Sequence, residues 1–159
     1  MSVTMRGISR FFAETLNENA EFIALSQSLI SDEFNYFVNV DLATVEVPLP
    51  YFGIVTFNDK DDREVEKKFQ TQFLIGISRE KPDFVDGEIT EEPTLDNLEQ
   101  LSRKAYEVIT NEMRIFGIQG SKNVRVSYVN MYVPATDGED DLQMQIDIEI
   151  EQDMYLSCN

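Results

Sequence analysis

The stretch that most constrains this chain is residues 142–153, LQMQIDIEIEQD. Leu142, Met144, Ile146, Ile148 and Ile150 alternate with Gln143, Gln145, Asp147, Glu149 and Glu151. A strict period of two marks a strand with one face in a core and the other outside it. The apolar side needs a partner layer. The other side sets three consecutive same-face carboxylates, Asp147, Glu149 and Glu151, about 6.6–7 Å apart along the strand. The row contains no basic residue, and no Lys or Arg follows Arg125.

The remaining pattern supplies the other layer. Residues 8–30 read as helix, with Ile8, Phe12 and Leu16 at i, i+4 spacing and Phe22, Leu25 and Leu29 resuming it. Asn17 and Asn19 predict a break between the halves, with Asn19 capping the second. Val38 to Val47 reads as extended chain. Pro48 and Pro50 push Val47 and Leu49 out of helical geometry. Strands are expected at 51–57 and 69–78, joined by a charged turn. Phe69, Thr71, Phe73, Ile75 and Ile77 share a face of the second. Residues 79–93 read as a polar surface connection. Thr94 is expected to cap a long helix with Leu95, Leu98, Leu101, Ala105, Val108 and Ile109 on its apolar stripe, closed by Gly117 and Gly120. A third strand spans 124–133, where the apolar parity changes between Tyr128 and Val129, which suggests a bulge or burial on both faces. It should pair with 142–150 as an antiparallel hairpin. At 159 residues this is one domain, 1–159. The expected class is α+β: a mainly antiparallel sheet of about four strands with α-helices packed on one face.

Composition removes several functions. With no His and one Cys, the common zinc sites and every His-dependent triad are excluded. Cys158 lacks an intramolecular disulfide partner. A net charge of −17 leaves no basic patch after Arg125 to neutralise phosphates, so sequence-reading nucleic-acid binding is not expected. Residues 58–66 and 137–141 match calcium loops only in charge. Counting from Asp59, the sixth position is Glu64 where the loop needs Gly. GIQGSK at 117–122 lacks P-loop spacing and reads as a helix stop. The first residues have no apolar h-region, and no apolar run is long enough to span a membrane. No cofactor, no metal site and no enzymatic activity are expected. Phe34, Tyr36 and Phe37, in the aromatic run FNYF, form a candidate oligomer interface.

The order of elements resembles the tail terminator, or tail-completion, proteins of long-tailed bacteriophages. The matching pieces are the N-terminal amphipathic helix, PLPYFGI at 48–54, KFQTQFLIGIS at 68–78, the amphipathic helix 95–113 and the terminal hairpin 124–151 with its acidic tip. These are small α+β structural proteins of the virion. They form a ring, usually a homo-hexamer, on the head-proximal end of the tail tube. The resemblance implies virion assembly in the host cytoplasm and residence in the virion tail. The implied partners are further copies of the chain, the tail tube protein and a head-completion or connector protein. DNA would pass through the ring without specific binding. It also implies roles for residues. Asp140, Asp141, Asp147, Glu149 and Glu151 become candidate channel-lining positions, where carboxylates repel phosphate and let DNA slide. Lys60, Arg63, Lys67 and Lys68 become candidate contacts to a neighbouring subunit or the tube. Alternatives are another head–tail joining or tail tube protein, an acidic cytosolic adaptor that binds a basic partner, and a carboxylate-based, metal-assisted hydrolase.

Overall fold

Thr4 opens the first helix, its hydroxyl accepting from the Gly7 N–H at 3.0 Å. That satisfies one of the donors a helix start leaves free. In the computed structural model, which describes residues 4–41, 47–58, 66–80, 82–116, 121–129 and 141–153, this helix is α1 (Met5–Glu18). It buries Ile8, Ser9, Phe12, Ala13 and Leu16. The predicted break falls at Asn19, whose extended backbone leaves the helix while its side-chain oxygen accepts from Phe22 N–H at 2.9 Å. That bond caps α2 (Ala20–Ile30), which ends at Ser31 in the left-handed conformation. The remaining elements are β1 (Asn35–Val38), β2 (Tyr51–Asn58), β3 (Glu66–Ser78), α3 (Pro93–Phe116), β4 (Ser121–Val129) and β5 (Asp141–Asp153).

The chain is α+β, as expected, but the sheet differs from the predicted one. Among the described residues it has five strands in the order β1-β2-β3-β5-β4. β1 runs parallel to β2, and the other neighbouring pairs are antiparallel. The extra strand comes from FNYF, where no strand was expected. Burial of Phe34 brings this segment beside β2. The Asn35 N–H then donates to the Pro50 carbonyl at 2.9 Å and the Asn39 N–H to the Ile54 carbonyl at 2.8 Å. Asn39, at φ 56°, turns the chain away, a conformation Asn tolerates better than most residues. Of the extended chain expected over 38–47, Val38 ends β1, which begins at Asn35, and residues 42–46 lie outside the described residues.

Three local expectations change as well. Pro93 takes the first helical position of α3, where its missing N–H costs nothing. Thr94 is therefore inside the helix, and its hydroxyl serves Glu80 instead of capping. β3 begins at Glu66, earlier than expected. The register shift in β4 lies between Ser121 and Asn123, while Tyr128 and Val129 pair in regular succession with Ile146 and Gln145. Gly117, Gly120 and residues 130–133 lie outside the described residues.

The register builds one apolar face. Phe52 stands opposite Ile75, Ile54 opposite Phe73, and Phe73 and Ile75 opposite Ile146 and Met144. All six of these positions are buried, with Ile77 continuing the row. Against them pack Ile8, Phe12 and Leu16 of α1, Phe22 of α2, and Leu98, Leu101, Ala105 and Ile109 of α3. Lys104 ties α3 to α2 by donating to Glu21 at 2.6 Å. That bond holds the Glu21 carboxyl below its usual pKa and raises that of Lys104.

One polar thread crosses this interface. Ser9 and Thr56 hydroxyls are 2.6 Å apart, Thr56 and Thr71 hydroxyls 2.9 Å. The Ser9 O–H also donates to the Asn39 side-chain oxygen at 2.9 Å. Ser9, Thr56 and Thr71 are buried, so the mutual bonds are what make their burial tolerable.

Candidate functional site

The carboxylate row lies on the sheet face opposite the helices, because Asp147, Glu149 and Glu151 alternate with the core-facing Ile146 position along β5. β5 is flanked by β3 on one side and β4 on the other. The register gives each acid two neighbours. Asp147 stands between Gln72 and Ser127, Glu149 between Gln70 and Arg125, and Glu151 between Lys68 and Asn123. So the row lacks a basic residue within its own strand, yet the adjacent strands bring two cationic positions directly opposite two of its acids. Across β3, β4 and β5 this face stays acidic. Asp141, Asp153 and Glu66 share its parity with the row, against Lys68 and Arg125. Uncharged polar positions, Gln70, Gln72, Gln143 and Gln145, fill much of the remainder.

The same face changes character along its length. At the β2 start, Tyr51 pairs with Gly76 and is 4% exposed. Its ring lies where a Gly76 side chain would otherwise stand. Beyond the middle, Gln70 and Phe57 are exposed.

Other candidate residues separate. Lys60, Arg63 and Asp140 lie outside the described residues. Lys67 and Lys68 occupy the start of β3, opposite Gln152 and Glu151. Phe34 is corrected: it is 8% exposed and belongs to the chain's own core. Its ring stacks on Phe22, with centroids 5.8 Å apart, and meets Phe52 edge-on. An aromatic run that looked unassigned was in fact anchoring an edge strand. Tyr36 and Phe37 are half-buried, and Tyr36 stacks on Phe52 at 5.7 Å.

Burial, with the Glu33 carboxylate adding to it, pushes the Tyr36 phenol well above its ordinary pKa. The folded state therefore holds that proton more tightly than the unfolded chain, whose tyrosines ionise near about pH 10. Stability should be unaffected by this group below about pH 10 and fall as pH rises beyond it. Tyr36→Phe should show a smaller loss between about pH 9 and about pH 11 in denaturation midpoints. Equal losses in both proteins would detach the alkaline sensitivity from Tyr36.

Two clefts open on the helical side. One, of about 290 Å³, lies between the end of α2, Pro50, the end of β3 and the first turn of α3. The other, of about 400 Å³, is lined by Phe11, Thr15, Asn19, Glu14, Glu18 and Glu112. Among the described residues no three His, Cys, Asp or Glu side chains are arranged to hold a metal ion. No described helix is long and apolar enough to cross a membrane.

Compared with protein-family models and with curated proteins, the chain matches none. Two further features escaped the sequence reading. The buried hydroxyl thread needed the pairing of Thr56 with Thr71, which no local pattern reveals. The connection between β3 and α3, read as polar, displays Phe84, Val85 and Ile89 to solvent. Their signal was present: apolar residues set between acids, beside Gly87, with no period to bury them.

Proposed function

We propose that this chain is a non-enzymatic structural protein of a phage tail, a terminator that forms a ring on the head-proximal end of the tail tube. The ring stops tube growth and presents a surface to the head connector. It assembles in the host cytoplasm and stays in the virion. The observation that supports this reading is the register around β5. A row of acids runs along the face turned away from the helices, flanked by glutamines, serine and asparagine and by only two cationic positions. Such a face suits the wall of a channel for DNA, since it repels phosphate and offers little to hold it. The cationic positions Lys68 and Arg125 reduce the self-repulsion of the row without reversing its sign. The finer architecture proposed is a mainly antiparallel sheet with its helices outside the channel. Lys67 and Lys68 then act at the border with a neighbour or the tube.

Light scattering on the eluting protein, with electron microscopy of the heaviest species, tests the reading. Closed rings with a central hole that cap purified tail tubes are the expected result. Protein that neither forms rings nor binds tube ends would refute it. Replacing Asp147, Glu149 and Glu151 together by Asn, Gln and Gln should leave ring mass unchanged and slow DNA release. Loss of folding or of the ring in that variant would make the row structural.

The acidic groove beside Phe11 favours a second reading, an adaptor for a basic partner. Glu14, Glu18 and Glu112 line a space of about 400 Å³, large enough for one long cationic side chain. That reading predicts a stable monomer and saturable binding of a lysine-rich peptide, abolished by Glu18→Lys.

A further inference from the structure

Among the described residues, Phe84 and Ile89 are the most exposed of the large apolar side chains, at 88% and 91%, and Val85 beside them is 52% exposed. All three stand on the connection 82–92, between the end of β3 and the start of α3. That connection is braced. Arg79 donates to both Glu92 oxygens, at 3.2 and 3.0 Å. The Glu80 N–H donates to Thr94 Oγ1 at 2.6 Å, and that hydroxyl returns a bond to the Glu80 carbonyl at 3.3 Å. At the tip the Glu88 N–H closes a turn on the Val85 carbonyl at 3.1 Å, with Gly87 at φ 83°. Much of the ordering cost of presenting Phe84 and Ile89 is thus met before any partner arrives. Apolar side chains grouped and held out in this way mark a contact surface.

A cleft opens at the base of the connection. Glu80 and Thr94, where the connection leaves and rejoins the regular elements, both line the space of about 290 Å³. Ile30, Leu49 and Ile77 supply apolar lining, and the charged residues that line it are Asp32 and Glu80. α2 ends and α3 begins there, so the two helix dipoles oppose each other and the carboxylates set the sign of the cleft. The space is at the small end for a ligand pocket. It suits one Lys or Arg side chain, whose stem lies on apolar surface while its head meets the carboxylates. The Phe84 Cα, four residues from that of Glu80, lies within about 14 Å of it.

Charge selects the occupant. Residues 79–92 hold six acids against Arg79 and Lys81, and Glu92 engages Arg79. Asp83, Asp86, Glu88 and Glu91 are exposed around the apolar side chains. A second copy is a poor occupant of this surface. It carries a net charge of −17, and its described cations Arg10, Arg79, Arg103 and Lys104 are engaged by its own carboxylates. An anionic lipid surface would be repelled for the same reason. What complements an apolar patch with an acidic rim is an apolar stripe flanked by cations.

We propose that the connection 82–92 and the cleft at its base dock a basic amphipathic segment of another protein. The apolar side chains of that segment cover Phe84, Val85 and Ile89, and its flanking cations meet the acidic rim. One Lys or Arg enters the cleft between Asp32 and Glu80. This surface shares no lining residue with the groove beside Phe11, and it does not depend on whether copies of the chain form a ring.

The probe is a yeast-displayed library of random peptides of about 16 residues, which as a helix of about 24 Å reach from the cleft to Phe84. It is selected on the full-length protein and counter-selected on the Phe84→Ser/Ile89→Ser variant. Enriched peptides should combine Lys or Arg with large apolar residues. Fluorescence anisotropy then compares wild type with Asp32→Asn/Glu80→Gln. The four substituted side chains are exposed, the Glu80 bonds to Thr94 are made by its backbone, and Asn at 32 keeps an oxygen for the Glu33 N–H. Thermal unfolding should therefore show both variants folded. Each should raise the dissociation constant of the enriched peptides about tenfold or more. No enrichment, or enriched peptides without Lys and Arg, overturns the proposal. Equal affinity in the uncharged cleft variant overturns the role of the cleft. Co-sedimentation of wild type, and not of the Phe84/Ile89 variant, with vesicles of phosphatidylcholine and phosphatidylserine would make the surface a membrane contact and overturn the protein partner. A lower mass for the Phe84/Ile89 variant than for wild type in sedimentation velocity would give the surface to a second copy and overturn it as well.

Discussion

Replacing Phe52 by alanine should lower the unfolding free energy by about 3–5 kcal/mol. Phe52 is fully buried on β2 and its ring touches four others. Phe22, Phe34 and Phe73 meet it edge-on at 6.0, 5.6 and 6.0 Å, and Tyr36 stacks on it at 5.7 Å. These neighbours come from α2, the segment before β1, β3 and β1 itself, so one cavity weakens four elements at once. Each aromatic contact adds about 0.5–1.5 kcal/mol beyond its buried area. Against a typical total of about 5–15 kcal/mol, the loss would bring the chain close to unfolding. Urea denaturation reads it: the midpoint should fall with the slope unchanged. A loss below about 1.5 kcal/mol would mean that the surrounding rings collapse into the space, and that Phe52 does not organise them.

The second large effect is expected at Gly76. A Cβ built there stands 2.7 Å from the Tyr51 hydroxyl oxygen and closer still to the ring carbons. The ring is rigid and 4% exposed, so it cannot swing aside without leaving its site. Gly76→Ala should cost about 1–3 kcal/mol as overpacking. Removing the obstructing ring tests the cause. In a double-mutant cycle, Tyr51→Ala should make Gly76→Ala nearly neutral, with a coupling energy of about 1 kcal/mol or more. If the glycine substitution costs the same in both backgrounds, the requirement lies in the β3 backbone and not in the ring.

Much of this arrangement was legible because its signals are local. The period of two in residues 142–150 places Met144 and Ile146 in the core and the acids on the other face. The stripe from Leu98 to Ile109 places α3 on the core. Asn19 announces the break between α1 and α2 through its own capping bond. What escaped depends on distant partners. β1 is four residues long, too short for a period to show, and only the burial of Phe34 draws it to β2. Thr94 looked like a cap because Ser and Thr favour that role, but a proline one residue earlier can begin a helix without one. At the candidate site the acids were visible, while Lys68 and Arg125 opposite two of them were not. Their placement requires the registers of β3 and β4 on β5 together. Phe84 and Ile89 were hidden among acids, since sequence rules treat a charged connection as solvent-facing whatever else it carries.

The strand order has a consequence for how the molecule comes into being. β5 lies between β3 and β4, yet every other described strand precedes it in the chain. As the polypeptide emerges during synthesis, β2 and β3 can pair at once, but β3 offers an open edge for all the time that α3 and β4 are being made. β4 meets no other described strand until β5 arrives. Long-range pairing of this kind is slow and leaves unpaired edges exposed. The acids on β5 arrive with it, and their mutual repulsion discourages the β5 strands of two neighbouring nascent chains from pairing with each other. A row of charge on the closing strand would then guard the growing sheet before any assembly exists for it to serve.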